Sequence, residues 1–172
     1  VAANDAGTAT EAGGVANGLG GATGGSNATG NVLTNDTDEN SGDTKAVAGV
    51  RTGNSEGSGE AGVLGADDFY TLSGIYGTLK VKADGSYTYT VNQTAANVQA
   101  LTAGQVETDA FNYTVKDSTN KTDTGVLTIT LTGADDTLLV ENLPASFAVN
   151  EDQKMALVIP SNLSLVDPDF VG

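Results

Sequence analysis

The chain of 172 residues carries 22 acidic against 7 basic residues, a formal net charge of −15. Such a field repels nucleic acid and anionic membrane surfaces and favours cations. Cysteine and histidine are both absent, which excludes disulfides, zinc fingers, haem ligation, the Ser-His-Asp triad and cysteine nucleophiles.

The length fits one domain and part of another. Of the 23 glycines, 15 fall at or before Gly62, whereas all nine aromatics lie from Phe69 onward. The first third is therefore predicted to be loop-rich, with the dense core in the middle third. Residues 12–30, rich in Gly, Ala, Asn and Thr, read as an extended surface insertion, because such a segment buries too little to order itself. Its glycines are not followed by Lys-Ser/Thr, which excludes a phosphate-binding loop, and no carboxylate lies between Ala12 and Asn35, which excludes a glycine-aspartate calcium roll.

The middle predicts antiparallel strands. Apolar and charged residues alternate in Leu79-Lys80-Val81-Lys82, Asp84-Gly85 supplies a tight turn, and Tyr87, Tyr89 and Val91 resume the alternation. Asn97 to Leu101 predicts a single helical turn. Phe111, Tyr113 and Val115 then alternate, Asp117 to Asn120 turns, and Leu127, Ile129 and Leu131 alternate with threonines outside. Short strands punctuated by turns predict an all-β sandwich. All three prolines follow residue 140, which places a boundary near Asp135-Asp136. The motif Asn31 to Asp38 is echoed by Asn162 to Asp169, and Glu11 is echoed by Glu151. A tandem array is expected, with one repeat at 1–136 and the opening of the next at 137–172. No apolar run approaches the ~20 residues that span a bilayer, so direct membrane insertion is not expected and any export signal is expected to lie elsewhere.

The acids cluster by position. Asp36 and Asp38 stand at i and i+2 in a loop, with Asn40 and Asp43 close behind, and Asp117 ends a predicted strand. Glu107 and Asp109 lie at the other end of that strand, where Glu11, Asp135 and Asp136 can gather. Hard cations take oxygen ligands, and Ca²⁺ wants six to eight of them from flexible loops. An acidic surface also serves solubility, and carboxylates also form turns; Asp84, Asp67-Asp68, Glu56 and Glu60 read in that way. Two acidic poles with a strand-terminal Asp favour divalent ions. Paired carboxylates also hydrolyse glycosides, but these sit in Gly/Asn/Thr-rich loops without Trp or His, so catalysis is not expected.

The string Tyr76 to Val91 closely resembles the signature of VCBS repeats. So do Gly30 to Asp38, Val98 to Leu101, Asp109-x-Phe111-x-Tyr113-Thr114-Val115-x-Asp117, Leu127 to Asp136 and the opening Glu11 to Gly14. Residues 137–172 resemble the start of another cadherin-like or bacterial immunoglobulin-like repeat. The resemblance implies a Greek-key β-sandwich, used as a tandem-repeat module in very large, type I-secreted surface proteins of the RTX adhesin kind, with Ca²⁺ at the joints. Carried across by motif, Asn4, Asp5, Asp36, Asp38 and Asp117 would serve one joint. Glu11, Glu107, Asp109, Asp135, Asp136, Asp167 and Asp169 would serve the other. The sequence departs from the family in its Gly-rich insertion and in Ala134-Asp135-Asp136, where Asn-Asp followed by Ala-Pro is usual. The expected role is a Ca²⁺-stiffened extender in a surface adhesin or extracellular filament, serving cell adhesion or biofilm, with neighbouring repeats as partners. The alternatives are direct binding of a glycan or protein through the Gly-rich segment, Tyr70 or Tyr76, and homotypic assembly through the incomplete repeat.

Overall fold

The computed structural model describes residues 1–15, 23–40, 42–137, 139–141 and 164–166. Among the described residues, eleven strands build two facing sheets. The first sheet holds β1 (Asp5–Val15), β2 (Thr23–Ser26), β4 (Lys45–Thr52), β9 (Val106–Asp117), β10 (Thr122–Thr132) and the short β11 (Asp136–Thr137). The second holds β3 (Ala28–Asn31), β5 (Val63–Leu64), β6 (Phe69–Ser73), β7 (Gly77–Lys82) and β8 (Ser86–Val91). Their orders are β11-β1-β10-β9-β4, with β2 on β1, and β3-β8-β7-β6-β5. The chain leaves the first sheet after β4, traces β5 to β8, and returns so that β9 lies beside β4. This interlock is the Greek key. A further antiparallel pair joins β12 (Leu139–Glu141) and β13 (Ser164–Val166).

The alternations read from the sequence form the core. Leu79, Val81, Tyr87 and Tyr89 turn inward from the second sheet to meet Phe111, Tyr113, Leu127, Ile129 and Leu131 from the first. Tyr89 packs against Phe111 with ring centroids 6.1 Å apart at 58°, the tilted arrangement aromatic pairs favour. Gly85 adopts φ 84° in the β7–β8 turn, a conformation glycine accepts without steric cost. The expected helical turn is α1 (Ala96–Gln99), which buries Val98.

The first third departs from expectation. It carries β1, β2, β3 and β4 rather than mainly loop, and the segment expected as a surface insertion at 12–30 is partly strand. Its described ends pair with β1 and with β8. The reason is backbone pairing: glycines offer no side-chain alternation to read, yet their N–H and C=O groups extend a ladder. Tyr87 also lies over Gly30, whose missing Cβ would stand 2.8 Å from the ring. The other unanticipated feature is β1 running parallel to β10, from Asp5 opposite Leu127 to Thr10 opposite Thr132. The turn after β9 and the start of β1 therefore share one pole, and the ends of β1 and β10 share the other.

Candidate metal centre

Three carboxylates meet at the pole where β1 begins. Oxygens of Asp38, Asp43 and Asp117 lie within 4.8 Å of one another, each residue half-buried. Asp117 is the last residue of β9 and closes a turn by donating its N–H to Lys121 O (3.0 Å), with Asn120 at φ 66°. Asn tolerates this left-handed conformation better than most residues. Asp38 and Asp43 lie in the loop between β3 and β4. Asp38 Oδ1 accepts the Asn40 N–H (2.8 Å), and the Asp43 N–H reaches Asn40 O (3.2 Å).

The charges are held differently. Desolvation acts to raise the Asp117 carboxyl, but the Lys121 N–H and the Thr119 hydroxyl and N–H outweigh it and hold the group below the usual range. Asp117 is thus ionised at neutral pH. Asp43 Oδ1 accepts from Ser118 Oγ (2.7 Å), whereas its Oδ2 is buried without a hydrogen-bond partner. A buried carboxylate oxygen lacking a donor is costly, and a cation removes that cost. The donor set is entirely hard oxygen, which suits Ca²⁺ and is poor for softer metals. Ala2, Asn40, Lys45 and Asp123 line a cleft of about 260 Å³ beside Asp38 and Asp117.

The other residues expected here do not join the three-carboxylate cluster. Asn4 Oδ1 accepts the Val126 N–H (3.0 Å), fastening β1 to β10. Asp36 is buried, and its Oδ1 accepts the Ala3 N–H (2.7 Å). Asp5 Oδ2 accepts from the Tyr113 hydroxyl (2.6 Å), which also faces Ala3 O and Val32 O at 2.8 and 3.0 Å. Burial raises the Asp5 carboxyl, partly countered by the Tyr113 hydrogen bond, and the nearby Asp36 charge raises it further. Burial and the same Asp5 bond push the Tyr113 hydroxyl up.

At the opposite pole, about 26 Å farther along β9 at roughly 3.3 Å per residue, the acids hold the chain to itself. Asp109 is buried and accepts the N–H groups of Ile75 (2.8 Å) and Tyr76 (3.0 Å) and the hydroxyl of Tyr89 (2.5 Å). Glu107 accepts from Tyr76 Oη (3.2 Å) and Gln105 Nε2 (3.1 Å). Glu11 is fully buried, and its carboxylate accepts the Ala134 N–H (3.1 Å). Asp136 is buried in β11, and Asp135 is exposed, its carbonyl receiving the Gly14 N–H. Asp167 and Asp169 lie outside the described residues. Tyr70 and Tyr76, considered as binding residues, spend their hydroxyls on Ala48 O and Glu107.

Sequence reasoning left Asp43 out of the ligand set. The signal was present in Ser41-Gly42-Asp43 shortly after Asp38, and Gly42 at φ 101° supplies the bend that brings Asp43 back. No curated protein matches the chain. Residues 1–133 match the family model of the bacterial cadherin-like domain, and the chain belongs to that family.

Proposed function

We propose that this domain is an extender repeat of a large bacterial surface adhesin or extracellular filament protein, of the VCBS kind, stiffened by Ca²⁺ at the pole formed by Asp38, Asp43 and Asp117. Bacterial cadherin-like domains are structural repeat modules of extracellular or surface proteins rather than enzymes. Among the described residues no helix is long and apolar enough to cross a membrane. The observation that carries the reading is the convergence of three carboxylates with the buried, donorless Asp43 Oδ2. Three carboxylates supply part of the six to eight oxygens Ca²⁺ takes. Water and an adjoining repeat complete the set, so the ion ties two sandwiches and holds a terminal binding domain away from the cell. In the same reading, residues 137–172 open the following repeat, and export follows the type I route.

The test is a Ca²⁺ titration of the whole chain by calorimetry and thermal melting. An ion that binds only the native state adds about 2.7 kcal/mol at a hundredfold excess over Kd, a Tm rise on the order of 5–10 °C for a chain of this size. No heat of binding and an unchanged Tm would refute the reading.

A further inference from the structure

The loop that carries Asp38 and Asp43 is held by a fixed positive charge. Lys45, the first residue of β4, is half-buried, and its Nζ donates to the carbonyl oxygens of Leu33 (3.3 Å) and Asp36. Both carbonyls lie on the segment running into Asp38 and Asp43. Lys45 also pairs with Asp117 in the β4–β9 register and lines the same cleft as Asp38 and Asp117. Among the described residues the one ion pair joins Lys80 to Asp67, so the Lys45 ammonium is satisfied by main-chain oxygens and forms no ion pair with a carboxylate of the cluster.

Backbone carbonyls converging on a compact charge are what a hard cation collects, and an ammonium is such a charge with three rotatable donors. Asp38, Asp43 and Asp117 bring like charges within 4.8 Å of one another, an arrangement that is repulsive without a cation. A positive charge tethered to β4 offsets that repulsion without occupying a carboxylate oxygen. We propose that Lys45 is a positioning residue for the metal centre, a built-in monovalent cation that holds the Leu33 and Asp36 carbonyls to the start of β4, with Asp38 and Asp43 beside Asp117, before a divalent ion arrives. Its purpose rests on the divalent-ion reading above, but its action does not require the ion.

Amide hydrogen exchange of the whole chain by NMR, in EDTA, tests it. In the wild type the N–H groups of Asn40 and Asp43 are expected to be protected. In Lys45→Met they are expected to exchange on the order of tenfold faster, with core amides of β9 and β10 unchanged. In Lys45→Ala, which leaves room for the lost stem, added propylamine should slow them again and an uncharged alcohol of the same length should not, whereas a purely steric role for Lys45 would let both rescue. Loop amides already unprotected in the wild type, or protection equal in the variant, would overturn the proposal. If Lys45→Met fails to fold, the wild-type ammonium decides: a slowly exchanging ¹⁵Nζ signal in EDTA supports it, and one as fast as those of exposed lysines overturns it. Failure of wild-type Ca²⁺ binding would remove the divalent reading alone, since every measurement on Lys45 is made without the ion.

Discussion

Asp109 separates a metal ligand from a structural pin. Replacing Asp109 by Ala strips the acceptor from the Ile75 and Tyr76 N–H groups and from the Tyr89 hydroxyl. Tyr89 is fully buried, so its hydroxyl bears the whole desolvation penalty, about 1–3 kcal/mol. Ile75 is 67% exposed, and water can reach its N–H at smaller cost. The Tyr76 N–H is intermediate. Together these give roughly 3–5 kcal/mol, a large part of the 5–15 kcal/mol that holds a typical domain. Tyr89→Phe removes one donor and leaves Asp109 two others, so about 1 kcal/mol is expected. Urea unfolding followed by tyrosine fluorescence measures both variants, in EDTA and in millimolar Ca²⁺. The cost of Asp109→Ala should be equal in the two media. A cost below about 1 kcal/mol in EDTA, or one that develops only with Ca²⁺, would refute the structural assignment and return Asp109 to the ligand set.

Other consequences are equally direct. Asp43→Asn and Asp117→Asn should each abolish the Ca²⁺-dependent rise in Tm while the domain stays folded in EDTA; a rise of wild-type size would remove these residues from the site. Asp5 has a carboxyl raised above its ordinary 3.8, so the native state keeps this proton to higher pH than the unfolded chain does. Its contribution is complete below 3.8 and is lost as pH rises through the folded value. Asp5→Asn, which still offers Tyr113 an acceptor, should therefore compare better with wild type at pH 7 than at about pH 3.5 in urea unfolding, and an identical difference at both would contradict this. Gly125→Ala puts a Cβ 2.5 Å from the Tyr113 ring and hydroxyl, whereas a Cβ at Gly49 meets nothing within 4 Å. Roughly 1–3 kcal/mol of destabilisation is expected at the first and none at the second, checked by thermal melting.

The β7–β8 hairpin was legible because Leu79, Val81, Tyr87 and Tyr89 carry their own alternation and Asp84-Gly85 its own turn chemistry. β1 was not, because Ala6, Gly7, Thr8 and Ala9 have small side chains with weak periodicity, and its partner β10 lies more than a hundred residues away. The same division governs the site. Asp38 and Asp117 could be read from loop spacing and strand ending. The fates of Asp109, Glu11 and Asp36 could not, since the donors that hold them come from Ile75, Ala134 and Ala3 on distant segments. Lys45 was equally silent, as main-chain carbonyl partners leave no trace in side-chain pattern.

The parallel alignment of β1 with β10 has a consequence for how the domain bears tension. Its first and last long strands lie side by side over six consecutive residue pairs, and β1 starts at the pole opposite the one where β10 ends. A pull between Asp5 and Thr132 therefore runs along the shared ladder, and the hydrogen bonds are loaded together in shear instead of peeling open one at a time. Rupture then requires the whole patch to slip at once.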